Sequence, residues 1–235
     1  MGDLRAVLFD YSGTLFRLEE DDSWFAGMEL ESPMSPEATR EVDGHVQAEL
    51  MRRLTAPTGR SVSMTPEALE AWVNRDLAPH LHREAYLHVL RESGLAHHHA
   101  EALYGRVIDP ASWTPYPDAG PVLAGLRRLG IKTAVVSNIA FDIRPAFDAI
   151  GAADEVTEFV LSFEVGVIKP DPAIFAIALD RLGVPAERAL MVGDSDEADG
   201  GARALGCAFA LVDPLPTADR SDGLLAALGA HGIAL

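Results

Sequence analysis

With 235 residues, 48% of them hydrophobic, the chain can bury a sizeable core, either as one large domain or as a core with a smaller companion. Its 19 basic and 36 acidic residues leave a formal charge of −17, which opposes association with nucleic acid or an anionic membrane, and no apolar run approaches the roughly 20 residues of a membrane span. The single cysteine, Cys207, sits in an apolar run and has no internal disulfide partner, as expected of a protein in a reducing cytoplasm. The first residues show no signal-peptide core, and Ala6 stands where a myristoylation signal needs Ser or Thr.

The first apolar run, Ala6-Val7-Leu8-Phe9, leads straight into Asp10-Tyr11-Ser12-Gly13-Thr14. A short apolar run closed by such a turn predicts a buried strand with Asp10 at its carboxyl end, where open α/β sheets carry their sites. Gly13 lets the backbone bend around a ligand. Ser12 occupies the place where a second carboxylate would serve Asp10 as an acid/base partner, so the stretch promises a nucleophile more than a proton donor.

Residues 16 to 115 show no strand rhythm and read as an inserted helical unit. Ser35-Pro36-Glu37 and Thr65-Pro66-Glu67 each have the form of an N-cap followed by a first-turn proline. The unit holds seven of the eight histidines and no lysine, and Pro110, Pro115 and Pro117 suit a hinge back to the rest of the chain. His97-His98-His99 reads as a solvated helix end, because consecutive helical residues point to different faces, and His80 and His82 fail as a metal pair in the same way. Glu19-Glu20-Asp21-Asp22 reads most simply as an exposed loop, with a gate between core and inserted unit as the alternative that its place just after Asp10 offers, and Trp24-Phe25 reads as packing between core and inserted unit.

Beyond residue 115 strands and helices alternate. Apolar runs at 131 to 137, 157 to 163, 189 to 193 and 207 to 212 join residues 5 to 10 as expected strands. Asp118 is the expected cap, and Gly130 the stop, of a helix over 118 to 130; Asp171-Pro172 opens another that closes at Gly183. This alternation predicts an α/β fold with a mostly parallel sheet covered on both faces.

Four separated pieces carry the chemistry. They are Asp10 with Thr14; Ser137-Asn138 at the end of the strand Thr133-Ala134-Val135-Val136; Lys169 within Gly166-Val167-Ile168-Lys169-Pro170-Asp171-Pro172; and Gly193-Asp194-Ser195-Asp196-Glu197-Ala198-Asp199. Together they read as a phosphoryl-transfer site. Asp10 would attack phosphorus, while Thr14, Ser137 or Asn138, and Lys169 would hold the phosphoryl oxygens. Asp10, Asp194 and Asp199 crowded together would repel one another, so a hard divalent cation is the natural neutraliser, and Mg2+ fits carboxylate and carbonyl oxygen.

In this order the four pieces resemble the motifs of the haloacid dehalogenase-like hydrolase superfamily. The stretch from Ser162 to Pro172 is similar to the branch whose helical cap is inserted after the first strand. The resemblance implies a Rossmann-like catalytic core over 1–15 and 116–235 with a helical cap over 16–115. It also implies a Mg2+-dependent phosphatase acting on a small phosphorylated metabolite through an aspartyl phosphate. Carried over by position, it makes Asp10 the nucleophile and a metal ligand, Thr14 and Ser137 phosphate contacts, Asn138 an auxiliary group and Lys169 the charge stabiliser. Asp194 and Asp199 become metal-binding acids. Ser12 departs from the family's second aspartate; its carbonyl still suits the metal, but the proton shuttle, worth about 10² to 10⁴ in rate, is lost. Asp194 and Asp199 argue against a dehalogenase, and the absence of a lysine from residues 16 to 115 argues against a phosphonate hydrolase. A non-catalytic protein that binds a phosphorylated metabolite is the alternative that Ser12 supports.

Overall fold

The computed structural model describes residues 4–19, 22–32, 35–55 and 64–235. It divides into two compact units, one formed by Met1–Glu19 with Trp113–Leu235 and the other by Glu20–Ser112. The division falls a few residues inside the expected 16–115 because two three-residue strands pair with each other within the first unit. These are β2 (Phe16–Leu18) and β5 (Trp113–Pro115), antiparallel, with Arg17 opposite Thr114; β1 (Ala6–Phe9) precedes them. Strands of three residues are too short to show a two-residue period in sequence.

The unit Glu20–Ser112 opens with β3 (Glu29–Ser32) and β4 (Ser35–Glu41), an antiparallel pair with an irregularity at Glu31/Ser32. The helix expected to start at Ser35-Pro36-Glu37 is therefore a strand. A proline φ suits a first helical turn and an unpaired strand edge equally, and the partner strand β3 decides between them. Helices follow: α1 (Gly44–Thr55), α2 (Pro66–Val73), α3 (Pro79–Glu92) and α4 (His97–Ile108). Thr65 caps α2 as the sequence predicts, its Oγ1 accepting from the Ala68 amide at 3.2 Å. His97 and His98 are exposed at the start of α4. Trp24 and Phe25 are buried, with the Arg106 guanidinium 5.8 Å from the Trp24 ring centroid. Glu20 and Asp21 of the expected acidic loop lie outside the described residues.

The sheet unit continues with α5 (Ala119–Arg128), β6 (Lys132–Ser137), α6 (Arg144–Ala149), β7 (Glu158–Leu161), α7 (Ser162–Val165), α8 (Pro172–Leu182), β8 (Ala189–Gly193), β9 (Ala208–Leu211) and α9 (Gly223–Ala230). The five expected strands form one parallel sheet in the order β7-β6-β1-β8-β9, with Phe9 between Val135 and Val192. Alternate residues feed two cores. Val7, Phe9, Val135 and Val192 pack with Leu126, Phe147 and Leu224 on one face; Ala6, Leu8, Val136 and Met191 pack with Phe175 and Leu182 of α8 on the other. Burial on both faces explains why these strands read as continuous apolar runs.

Asp171 caps α8 through the Ala173 amide (2.9 Å), and Gly183 ends it in the left-handed region at φ 64°. Asp118 does something else. It makes no side-chain cap on α5; its Oδ2 instead accepts from the Leu224 and Leu225 amides (2.8 and 3.1 Å) and so caps α9, more than a hundred positions away. Cys207 is buried and its thiol is pushed up to about 11 by that burial, as a core cysteine should be. No described helix is long and apolar enough to cross a membrane.

Candidate active site

Chain order turns around at β1. From it the chain winds outward through β6 and β7 on one side and through β8 and β9 on the other, which puts the topological switch point, where open α/β sheets bind their ligands, at the carboxyl ends of β1, β6 and β8. Asp10 follows β1 directly, its amide bonded to the Val192 carbonyl at 3.0 Å; Ser137 ends β6; Asp194 follows β8. Tyr11, next to Asp10, is fully buried among aromatic rings, its centroid 5.0 Å from those of both Phe16 and Trp113. That anchor fixes the turn that carries Asp10.

Carboxylate oxygens of Asp10, Asp194 and Asp199 lie within 4.8 Å of one another. Lys169 Nζ reaches into the group, 2.6 Å from Asp10 Oδ1 and 2.6 Å from Asp199 Oδ1, with Lys169, Asp10 and Asp199 all buried. One ammonium against three carboxylates leaves negative charge uncompensated. Burial pushes the Asp10 carboxyl up to about 7; Lys169 opposes that rise, and Asp199 and Asp194 add to it. Asp194 is pushed up to about 6 by burial and then by Asp199. Burial alone would lower the Lys169 ammonium, but its two carboxylate partners outweigh that and hold it above the ordinary lysine range.

Two glycines make the crowding possible. A Cβ on Gly13 would lie 2.3 Å from Asp194 Oδ2, and Gly13 adopts φ 76°, where other residues are strained. A Cβ on Gly193 would lie 2.1 Å from Asp199 Oδ2. Three hard oxygen donors within 4.8 Å of one another, with side-chain bulk removed beside two of them and excess negative charge among them, fit a small divalent cation. Asp199 is held in place by the Ser195 amide (3.0 Å to Oδ2) and by its own amide on the Ser195 carbonyl (2.8 Å).

The remaining predicted residues arrange themselves around this cluster. Thr14 is fully buried, its Oγ1 3.5 Å from Asp10 Oδ2. Ser12 is partly buried and forms a backbone bridge with Phe16. Ser137 is buried at its strand end. Asn138 differs from its expected part as a phosphate group. Its carboxamide is engaged on the Lys169 backbone, accepting from the amide at 2.7 Å and donating to the carbonyl at 3.0 Å, so it acts on the site through Lys169.

Two residues outside the four pieces also shape the site. Ser162 Oγ accepts from the Ile139 amide (2.9 Å) and donates to the Ile139 carbonyl (3.0 Å), securing the loop after Asn138. Arg220, buried near the carboxyl end, donates to the Gly13 carbonyl at 2.7 Å and to the Thr14 carbonyl. Nothing local in the sequence marks either contact.

A family model described as haloacid dehalogenase-like hydrolase matches residues 4–206. A phosphoserine phosphatase from Thermus thermophilus is 37% identical over 150 residues, 63% of this chain and 58% of that enzyme. The chain spans about half the length of the curated relatives it matches. Among solved structures, a HAD phosphatase from Thermococcus onnurineus aligns with a TM-score of 0.53 at 25% identity, over 89% of this chain and 86% of that one. The L-2-haloacid dehalogenase from Xanthobacter autotrophicus aligns with a TM-score of 0.61 at 25% identity, over 95% and 83%.

Proposed function

The chain belongs to the haloacid dehalogenase-like hydrolase family, and from that premise we propose that it is a phosphatase in which Asp10 attacks the phosphorus of a small phosphorylated metabolite. The observation that carries this reading is the cluster itself: Asp10, Asp194 and Asp199 with oxygens within 4.8 Å, and Lys169 bonded to two of them. A dianionic phosphate approaching three carboxylates needs a cation, whereas displacement at carbon by one carboxylate does not. Mg2+ held by Asp10, Asp194, Asp199 and the Ser12 carbonyl would neutralise the acids and shield the incoming phosphate.

The chain's own residues do the rest. Lys169 favours the ionised, nucleophilic form of Asp10 against burial and its acidic neighbours. An Asp10 oxygen forms a bond to phosphorus as the bond to the leaving oxygen breaks, giving an aspartyl phosphate and a departing alcohol. Thr14 and Ser137 would donate to the phosphoryl oxygens. Ser12 has no carboxyl to protonate the leaving group, so that proton comes from water, and water later attacks phosphorus to release inorganic phosphate. The reaction therefore favours aryl and acyl phosphates, whose leaving groups are already acidic, over alkyl phosphates. In the same reading the unit Glu20–Ser112 is the cap that selects the substrate.

Phosphate release with Mg2+, on paired aryl and alkyl phosphates, tests this. Asp10→Asn should abolish turnover, and Ser12→Asp should raise alkyl phosphate hydrolysis, by up to about 10² to 10⁴. Ser12 also favours a second reading, a pocket that binds phosphate without turning it over. Calorimetric binding of a phosphorylated metabolite with no release in wild type, and none gained in Ser12→Asp, would select that reading.

A further inference from the structure

We propose that Arg220 is a positioning residue for the turn that carries Asp10 and Thr14. The inference rests on Asp10 being the reacting group. The guanidinium Nη1 donates to the Gly13 carbonyl at 2.7 Å and to the Asp213 carbonyl at 2.9 Å, and Nη2 donates to the Thr14 carbonyl. One side chain thus ties the turn after the nucleophile to a loop some two hundred positions later.

The hold is built from both sides. Arg220 is only 5% exposed, and its guanidinium carbon stands 3.1 Å from the Tyr116 ring centroid. Its stem lies so close to Gly223 that a Cβ there would meet Arg220 Cγ and Cδ at 2.8 Å, against the end of α9 that Asp118 caps. The loop it belongs to is stitched to the same region at further points. Arg17 Nη1 donates to the Pro214 carbonyl, Tyr116 Oη to the Leu215 carbonyl at 2.8 Å, and the Thr217 amide to Glu19 Oε1 at 2.6 Å. Pro214 Cβ also lies 3.1 Å from where a Gly13 Cβ would sit, so loop 213–220 closes directly over the Gly13 turn.

What Arg220 holds is the part of the turn that most affects reaction geometry. Gly13 backs onto Asp194, and Thr14 presents its hydroxyl to Asp10. Left without the guanidinium, the two carbonyls would be buried acceptors lacking their charged donor, and the turn could reach them to solvent only by shifting. A displacement of about 1 Å in a catalytic group costs about 100-fold in rate.

Arg220→Ala and Arg220→Lys, followed by amide hydrogen exchange and steady-state kinetics on an aryl phosphate with Mg2+, test the proposal. The Gly13, Leu15 and Phe16 amides, which bond within the turn to the Phe16 and Tyr11 carbonyls, should exchange about ten-fold faster or more in Arg220→Ala, while those of β6 and β7 stay protected. kcat should fall by about 100-fold with KM nearly unchanged; millimolar guanidinium should recover part of the loss in Arg220→Ala, and Arg220→Lys should lie between. Unchanged exchange in the turn, or equal acceleration through every strand, would overturn the assignment. Faster exchange confined to the turn in a protein whose wild type releases no phosphate would sink the phosphatase reading and leave Arg220 in its role.

Discussion

The two units of the chain bury polar groups in opposite ways. In the sheet unit, buried Asp10, Lys169 and Asp199 bond as ions, beside a further carboxylate on Asp194. Among the described residues of the unit Glu20–Ser112, tyrosines and Trp24 aside, His82 is the one buried polar side chain, and it sits among rings: its Nδ1 is 3.1 Å from Tyr104 Oη, and its ring stacks on Tyr86 at 4.3 Å. Burial, and then Arg75, push His82 down to about 3, so it stays neutral across the ordinary pH range. The difference teaches where each unit is vulnerable. Paired charge is stable only while its partners remain, whereas a neutral imidazole is stable only while protons are scarce.

The largest effect should come from breaking the pairing. Lys169→Met keeps the volume but strips Asp10 and Asp199 of their shared cation, which should cost about 3 to 5 kcal/mol in urea unfolding at neutral pH without Mg2+. Added Mg2+ should return part of it. A variant as stable as wild type would mean that the carboxylates are already protonated and that the sheet unit is no more ionic inside than the helical one.

Acid should find the helical unit next. The folded-state pKa of His82 is depressed below its unfolded value of 6.5, so between about 3 and 6.5 the unfolded chain binds more protons and stability falls as pH falls through that window. At pH 5 the loss is roughly 2 kcal/mol relative to pH 7. Hydrogen exchange in α3 and α4, compared between wild type and His82→Phe at the two pH values, should show the loss in wild type only. An equal pH response in both proteins would remove His82 from the comparison.

The smallest expected effect is local to one helix end. Thr65→Ala removes the oxygen that accepts from the Ala68 amide and should cost about 1 kcal/mol, read as faster exchange in α2 with the sheet unit untouched. Faster exchange in β1 or β6 as well would show that the two units share stability and sharpen the contrast into a coupling.

Elements whose cause is local were legible. Ala6–Phe9, Lys132–Ser137 and Ala189–Gly193 are continuous apolar runs bounded by Asp, Gly or Pro, and Asp171-Pro172 with Gly183 marks both ends of α8 by short-range chemistry. Ser35–Glu41 and Asp118 were misread because both patterns are ambiguous over a few residues: proline suits a helix start or a strand edge, and an aspartate can cap any helix whose amides reach it.

The sequence by itself determined the parallel sheet, the acidic residues at its carboxyl rim and the serine two positions after Asp10, since each is written in contiguous residues of a recognisable kind. Tertiary structure alone decided that Lys169 spans Asp10 and Asp199, that Asn138 is spent on the Lys169 backbone and that Arg220 closes on the Gly13 turn. Those contacts join residues 30 to 207 positions apart. They depend on where strands and loops deliver side chains in space, and that information is absent from any single stretch of the chain.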